Sequence, residues 1–239
     1  MNFKRIINEK KIIFKLSILA LFILLFTGSD LLVKKIVENK LRVIPETFEQ
    51  NMFENYIIKF DTNQIISNSY QKQDNGTYNL IEKNPKNLHK LWKEIRKFRF
   101  DKDIVVIKDV WHFVYETNED IGFSILSFLD NFLTPDTKRI FLICLQGFGV
   151  LIIFLYYLYS KEWYQFFPLA MIISGALGNV IDRIMRGYVV DFVMWIFKFI
   201  PHRLFNPWPI FNLADVYTVI GAIALFIMIM IFDSSEKNK

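Results

Sequence analysis

The stretch Ile140 to Tyr159, which reads IFLICLQGFGVLIIFLYYLY, contains no charged residue. A helix of roughly 20 apolar residues crosses the hydrocarbon core of a bilayer, which is about 30 Å thick. A soluble domain would instead interleave apolar and polar residues at a period of about 2 or 3.6. This stretch therefore predicts a transmembrane helix, and it places the chain among membrane proteins.

Three further apolar blocks flank this stretch along the chain. The predicted spans are residues 12–33, 140–159, 166–184 and 211–232. The first block also has features of a signal peptide, because Lys10 and Lys11 precede its apolar core. Its length, and the lack of an A-x-A pattern at Gly28-Ser29-Asp30, favour a retained span. A hydrophobic fraction of 53% over 239 residues agrees with four spans.

Basic residues in the termini and short loops predict the orientation, because they concentrate on the cytoplasmic side of a membrane. Seven lie on the side of the termini: Lys4, Arg5, Lys10, Lys11, Lys161, Lys237 and Lys239. Three lie on the other side: Arg186, Lys198 and Arg203. This imbalance predicts a multi-pass protein with both termini in the cytoplasm and with the long segment after the first span outside it.

That long segment, residues 37–137, is predicted to be an extracytoplasmic insertion. Ser67 to Gly76 is rich in turn-forming residues and predicts a loop or a hairpin turn. Asn87 to Phe100 has the period of an amphipathic helix, which either packs on its own small domain, the favoured interpretation, or lies on an anionic membrane surface. Ile104 to Ile107 and Trp111 to Tyr115 predict short strands of a small mixed sheet.

The predicted fold follows from these elements. Residues 1–239 form a single membrane domain, a mainly α membrane protein built as a four-transmembrane-helix bundle. A small β or mixed subdomain is inserted between transmembrane helices 1 and 2.

Several classes of function are excluded by composition and motifs. The single cysteine, Cys144, cannot form a disulfide within the chain or a cysteine-based metal site. The three histidines are scattered and match no zinc motif, and no G-x-S-x-G sequence marks a serine hydrolase. The net charge of +5 is explained by basic residues that flank the spans, so no nucleic-acid partner is predicted. No metalloprotease site is predicted.

Polar residues near the predicted outer ends of the spans are the candidates for chemistry, because charges within a membrane are costly and usually functional. They are Asp30, Lys34, Asn179, Asp182, Arg183, Asp191, Asn212 and Asp215. Asn212 and Asp215 share a helix face at a spacing of three, as do Asn179 and Asp182. Each asparagine is therefore placed to orient a carboxylate across a helix interface.

Asp191 and Asp215 are the candidate pair, because both lie in apolar surroundings and can converge across the loop between them. Two close carboxylates in a poorly solvated site share one proton. The ionised carboxylate activates water and the protonated one polarises a carbonyl, which is the chemistry of an aspartyl peptidase. Simpler alternatives exist for two other residues: Arg183 forms a structural ion pair with Asp182 that closes a helix end, and Asp30 is a helix-end or snorkelling residue.

Three blocks of sequence resemble a known family. They are Gly175 to Arg183 (GALGNVIDR), Gly187 to Phe192 (GYVVDF) and Trp208 to Asp215 (WPIFNLAD). In this order they closely resemble the signature of the bacterial lipoprotein signal peptidases (signal peptidase II). Asp30 to Lys34 and Asn118 to Ser124 resemble two weaker blocks of the same family.

The resemblance implies a function and a set of residues. Members of the family remove signal peptides from prolipoproteins by cutting before a cysteine that carries diacylglycerol, with catalytic aspartates that correspond to Asp191 and Asp215. The supporting residues would be Asp30, Lys34, Asn118, Asn179, Arg183 and Asn212, with Asp182 in a structural role. The implied enzyme is a monomer of the plasma membrane that needs no metal or cofactor. Its site opens at the outer face, where a lipidated substrate enters from the bilayer.

The chain departs from the family pattern between Asp30 and Asn118, a separation of 88 residues that is longer than usual. The loop between Asp191 and Asp215 is also extended. Glu119 and Asp120 stand where the family has a small residue and a glycine. An alternative is a non-enzymatic membrane protein, such as a transporter or assembly factor, whose polar network is an ion path. The Gly-x-Gly-Asp motif of another intramembrane aspartyl protease class is missing from the sequence.

Overall fold

The computed structural model describes residues 3–57, 64–96, 103–120, 128, 131–197 and 208–236. These residues are mainly helical, with two small three-stranded sheets. The chain divides into two compact units, one made of residues 1–36 and 105–239 and the other of residues 37–104.

Four helical segments in the described residues are long and apolar enough to cross a membrane, as the sequence predicted. They are Lys11–Leu41, Pro135–Tyr159, Trp163–Met185 and Leu213–Phe232. The first contains helix α1 (Phe3–Phe22), a π-helical turn (Ile23–Thr27) and helix α2 (Gly28–Leu41). It continues past the predicted end at residue 33, because the charges of Asp30 and Lys34 are neutralised inside the protein.

The short helix α3 (Ile65–Ser69) and the helix α4 (Pro85–Ile95) belong to the unit of residues 37–104. The remaining helices are α5 (Pro135–Tyr159), α6 (Phe166–Met185) and α7 (Leu213–Glu236). A short 3₁₀ turn, Trp163–Gln165, precedes α6. Helix α5 begins where Pro135 follows the N-cap Thr134, whose side chain accepts a hydrogen bond from the backbone N–H of Thr137 at 3.3 Å.

Helix α6 is the central helix, with 56% of its span buried against at most 22% in the other three. It packs closely on α7 through glycines. A Cβ atom at Gly175 would lie 2.4 Å from the backbone oxygen of Ala214, and one at Gly221 would lie 2.8 Å from that of Pro168. Small residues at such positions let two helix backbones approach. This contact fixes the depth at which α6 and α7 present their polar residues.

Lys15 explains how a charge is accommodated inside the first span. Its ammonium group donates to the backbone oxygens of Leu158 at 2.8 Å and of Ser160, at the C-terminal end of α5. The Tyr157 hydroxyl donates in return to the Lys15 backbone oxygen at 2.6 Å. A cation at a helix C-terminus is favourable because it satisfies free carbonyls and the helix dipole.

The first sheet lies in the unit that contains the apolar helices. Its strands are β4 (Ile104–Ile107), β5 (Trp111–Asn118) and β6 (Val189–Trp195), in the order β4-β5-β6. Strands β5 and β6 are antiparallel, with Trp111 opposite Trp195 and Asn118 opposite Val189. Phe211 bridges Val193 on β6, which brings the start of α7 beside this strand.

The prediction that the long segment after the first span forms one small mixed sheet of its own was wrong. The predicted strands Ile104 to Ile107 and Trp111 to Tyr115 exist and are neighbours, but the second of them also pairs with β6, which lies between the third and fourth apolar helices. Residues Val189 to Val193 are buried, so this strand needs a partner that is distant in sequence. Pairing between strands that are distant in sequence gives no pattern within either strand from which the partner can be predicted.

The unit of residues 37–104 has its own sheet, with strands β1 (Thr47–Glu49), β2 (Tyr70–Lys72) and β3 (Thr77–Leu80) in the order β1-β3-β2. A one-turn helix, Gln50–Met52, and a π-helical turn, Phe53–Ile57, follow β1. Its core contains Phe48, Phe53, Ile57, Ile66, Tyr70, Leu91 and Ile95.

Two predictions for this unit can be compared with the structure. The stretch Ser67 to Gly76 contains the end of α3, strand β2 and a hairpin turn in which Gly76 has a φ of +81°. Helix α4 buries Leu91 and Ile95 in the core of its own unit, which is the favoured interpretation of its amphipathic pattern. Residues 97–100 of the predicted helix lie outside the described residues.

Candidate active site

Asp191 lies in the middle of β6 and is almost completely buried, with 3% of its surface exposed. The Asn118 side chain, at the end of β5, donates to its Oδ2 atom at 3.0 Å. The Asn212 side chain donates to its Oδ1 atom at 2.7 Å. The pairing of β5 with β6 and the Phe211 bridge place these two donors on either side of the carboxylate.

Asp215 lies in the first turn of α7 and is partly exposed. Its Oδ1 atom accepts a hydrogen bond from the Asn179 side chain on α6 at 2.8 Å. Its Oδ2 atom accepts from the backbone N–H of Asn212 at 3.1 Å, and its own backbone N–H donates to the Asn212 Oδ1 atom at 3.1 Å. This reciprocal pair is a capping box, and it fixes the carboxylate at the positive end of the helix dipole.

Asn179 and Asn212 connect the two carboxylates. The Asn212 side-chain nitrogen also lies 3.1 Å from the Asn179 Oδ1 atom and 3.3 Å from the Val190 backbone oxygen. Asp191, Asn212, Asn179 and Asp215 therefore form one hydrogen-bonded chain. The hydrogen bond from Asn179 to Asp215 crosses the interface between α6 and α7.

Lys34 holds a second, fully buried group of charges behind Asn179. Its ammonium group lies 2.7 Å from Asp30, 2.9 Å from Asp182 and 3.0 Å from the Asn179 Oδ1 atom. Asp30 also accepts from the backbone N–H of Ala214 at 3.0 Å, which ties α2 to the start of α7. Asp30 is therefore an interior residue, and the alternative that it only closes a helix end was wrong.

Asp182 belongs to this group of buried charges. Besides Lys34, it pairs with Arg186 and accepts a hydrogen bond from the backbone N–H of Val190 at 3.3 Å. The last contact holds β6 against the end of α6, one residue before Asp191.

Arg183 points elsewhere, so the alternative in which it forms a simple ion pair with Asp182 was wrong. Its guanidinium donates to the Gln146 Oε1 atom at 2.9 Å, to the Asn179 backbone oxygen at 3.4 Å and to the Asp120 backbone oxygen. It therefore connects α5, α6 and the residues that follow β5.

Sequence reasoning missed two residues that support the site. Gln146 carries a polar group in an apolar run, and that was a signal that it has a partner inside the protein. Lys138 forms an ion pair with Asp120 at 3.3 Å, but it resembles an ordinary basic residue flanking a span. Residues 121–124 of the Asn118 block and 198–207 of the loop before Asp215 lie outside the described residues.

The electrostatics of Asp191 differ from those of an ordinary carboxyl. Burial, and next the negative charge of Asp215, raise its pKa to about 7. The hydrogen bonds from Asn118 and Asn212 and the charge of Lys34 act in the opposite direction. The pair is therefore suited to hold one proton near neutral pH. Among the described residues, no group of three or more histidine, cysteine or acidic side chains is placed to hold a metal ion.

Comparison with known proteins identifies relatives of this chain. A family model described as signal peptidase (SPase) II matches residues 87–232, a range that begins after Asp30 and Lys34. The lipoprotein signal peptidase of Clostridium tetani is 39% identical over 152 residues, which cover 63% of this chain and 88% of that protein. The lipoprotein signal peptidase of Halothermothrix orenii is 34% identical over 133 residues, covering 56% and 79%.

One solved structure, of a bacterial membrane enzyme determined by the in meso method at 2.3 Å resolution, aligns with a TM-score of 0.47 and 23% identity. The alignment covers 63% of this chain and 85% of that chain.

Proposed function

Because the chain belongs to the signal peptidase II family, we propose that it is a membrane aspartyl endopeptidase that removes signal peptides from prolipoproteins. Its substrates are diacylglyceryl-modified, and cleavage occurs immediately before the lipidated cysteine. The observation that carries the proposal is the hydrogen-bonded chain that joins Asp191 to Asp215 through two asparagines.

The two carboxylates differ in a way that supports a division of roles. Asp191 is buried and its raised pKa favours the protonated form, whereas Asp215 lies at the N-terminus of a helix, where negative charge is stabilised. We therefore assign the shared proton of the resting site to Asp191. This is the arrangement that acid–base catalysis by a carboxyl pair requires.

The reaction then proceeds in two steps, each with two proton transfers that balance. Asp215 takes a proton from water as the water oxygen attacks the scissile carbonyl, and Asp191 gives its proton to the carbonyl oxygen. In the tetrahedral intermediate, Asp215 is protonated and Asp191 is ionised. Asp215 next protonates the leaving amine as the C–N bond breaks, and Asp191 recovers a proton from the hydroxyl that becomes the new carbonyl.

The supporting residues hold this pair in place during the exchange. Asn118 and Asn212 donate to Asp191 and stabilise it while it is ionised in the intermediate. Lys34 has donors alone, so it turns the Asn179 oxygen toward itself and the Asn179 nitrogen toward Asp215. Substitution of Lys34 or of Asn179 is expected to lower the rate of catalysis more than it weakens substrate binding.

The location of the enzyme follows from the same proposal. We place it as a monomer in the plasma membrane, with four spans, cytoplasmic termini and the carboxyl pair at the outer face. Residues 37–137 would then be extracytoplasmic. A diacylated substrate would reach the carboxyl pair laterally from the lipid, and no nucleic acid, metal or cofactor takes part.

The substrate claim is tested with the purified full-length protein and one precursor in two forms, with and without the diacylglyceryl group. Mass spectrometry of the products locates the cut, and a chelator is present throughout. We expect cleavage of the lipidated form immediately before its cysteine. Equal cleavage of the unmodified form, or a cut at another bond, would contradict the proposed specificity.

A further inference from the structure

Lys138 occupies a position that is unfavourable for a cation. It lies in the first turn of α5, where its backbone N–H donates to the Thr134 oxygen at 2.9 Å, and its side chain is buried. The positive end of a helix dipole disfavours a cation there, and burial removes the hydration of the ammonium group. A charge kept at such a place must be compensated by a specific partner.

One such partner is Asp120, two residues beyond the end of β5. The ammonium group and the Asp120 carboxylate lie 3.3 Å apart, and each side chain is less than 10% exposed. Removing one member of a buried ion pair is unfavourable, because the other charge then loses a partner that is close and poorly solvated. The position of Asp120 is therefore coupled to the presence of Lys138.

Asp120 in turn controls the orientation of Asn118. Its backbone N–H donates to the Asn118 Oδ1 atom at 2.9 Å, so the Asn118 amide presents its nitrogen on the other side, to Asp191 at 3.0 Å. The Asp120 backbone oxygen accepts a hydrogen bond from Arg183. Asp120, which orients the Asn118 side chain, is thus held by its contacts with Lys138, Asn118 and Arg183.

We propose that Lys138 is a positioning residue of the peptidase site, which acts through Asp120 to hold the Asn118 amide against Asp191. The inference rests on the proposed function and adds to it a residue outside the family signature. Asp120 stands where the family pattern has a glycine, so the ion pair with Lys138 replaces the conformational freedom of that glycine with a fixed contact.

The test compares Lys138→Met with Lys138→Arg, and with Lys161→Met as the matched control, an exposed lysine just beyond the other end of α5. We measure kcat and KM for the lipidated precursor between pH 5 and 9. Lys138→Met is expected to lower kcat roughly tenfold to a hundredfold with little change in KM, because a catalytic hydrogen bond is misplaced. Lys138→Arg restores most of the rate, and Lys161→Met behaves as the parent.

The pH profile separates positioning from a general loss of structure. The Asn118 hydrogen bond favours the ionised form of Asp191, so a weaker bond raises its pKa and moves the alkaline limb of kcat to higher pH. The other charged groups that face Asp191 are Asp215, Lys34, Arg183 and its cross-strand neighbour Glu116, and all of these are unchanged in the variants.

Two results would overturn the inference while the proposed function stands. One is an active Lys138→Met enzyme with the parent's kcat and alkaline limb. The other is a loss of activity that Lys138→Arg does not restore and that leaves the limb in place. If Lys138→Met does not fold, Asp120→Asn decides, because it keeps the backbone N–H and is expected to shift the limb in the same direction. A parent protein that cleaves no precursor overturns the proposed function itself.

Discussion

The side-chain amide of Asn179 joins the two polar groups of the site. Its oxygen accepts from Lys34 at 3.0 Å and from Asn212 at 3.1 Å, and its nitrogen donates to Asp215 at 2.8 Å. A half-buried amide with all these partners has one orientation, because a flip would set donor against donor at Lys34. The buried charges around Lys34 thus determine which atom of Asn179 meets the carboxylate.

At the same scale, Asp191 is expected to lower the stability of the protein at neutral and alkaline pH. Its pKa rises from an ordinary 3.8 to about 7 in the folded state. Between these values the folded protein holds a proton that the unfolded chain has lost, so the free energy of unfolding falls as pH rises from about 4 to 7. Above pH 7 this loss of stability has reached its full size.

Asp191→Asn removes this penalty while keeping the shape of the side chain. We expect its Tm in detergent to exceed that of the parent by several degrees at pH 8, since one pKa unit corresponds to about 1.4 kcal/mol, and to approach it near pH 4. Asp74→Asn, at an exposed turn of the other unit, is the control. A pH-independent difference between variant and parent would contradict the assignment.

The activity of the parent enzyme is also expected to depend on this group. In the proposed mechanism Asp191 supplies a proton to the carbonyl oxygen, so kcat should fall as pH rises through about 7, where that proton is lost. The measurement is kcat against pH at saturating lipidated precursor. A constant kcat between pH 6 and 9 would show that Asp191 is not the acid in the rate-limiting step.

At the scale of elements, the close packing of α6 on α7 sets the distance between Asn179 and Asp215. Gly175 is the tightest point of this contact, because a Cβ atom there would lie 2.4 Å from both the Ala214 oxygen and the Thr218 hydroxyl oxygen. The Ala214 oxygen belongs to the helix backbone and cannot turn aside, so the two helices must separate to admit a methyl group.

Gly175→Ala is therefore expected to destabilise the protein by about 1–3 kcal/mol and to lower kcat at least tenfold by displacing Asp215. Gly147→Ala in α5, where a Cβ atom meets nothing within 4 Å, is the matched control and should be neutral or slightly stabilising. Thermal unfolding and cleavage rates are measured on both. Equal behaviour of the two variants would refute this account of the contact.

Element boundaries show what the sequence can and cannot predict. The four spans were predictable because a run of roughly 20 apolar residues is long enough to cross the hydrocarbon core and is typical of a membrane helix. The first span was predicted to end at residue 33, whereas the segment continues to Leu41, because the charge of Lys34 is paired with Asp30 and with Asp182 from another helix. A charged residue that would be expected to end a span can lie within the helix when its partner is distant in sequence. A local sequence pattern does not show that partner.

At the scale of the whole molecule, the candidate site was predictable to the extent that its members are polar residues in apolar surroundings. Asn179, Asp191, Asn212 and Asp215 met that condition and lie together. Lys138 did not, because a lysine beside a span normally faces water. Its role depends on β5 pairing with β6, which brings Asp120 to the start of α5 through contacts distant in sequence.

The unit of residues 37–104 has a core of its own around Phe53 and Leu91, and residues 37–86 of it lie outside the range matched by the family model. Its sequence showed an amphipathic helix and a turn, but not the sheet order β1-β3-β2. Strands of three or four residues carry too little pattern to specify their partners.

In the proposed mechanism, Asp191 and Asp215 together hydrolyse the peptide bond that precedes the lipidated cysteine of the prolipoprotein. The most direct measurement is single-turnover cleavage of a diacylglyceryl-modified precursor by the parent, by Asp191→Asn, by Asp215→Asn and by the Asp74→Asn control, with folding of each checked by thermal unfolding. We expect the parent and control to cut before the lipidated cysteine, and both site variants to fold and to lose at least about 10³-fold in rate. A folded site variant that retains the parent's rate would contradict the claim.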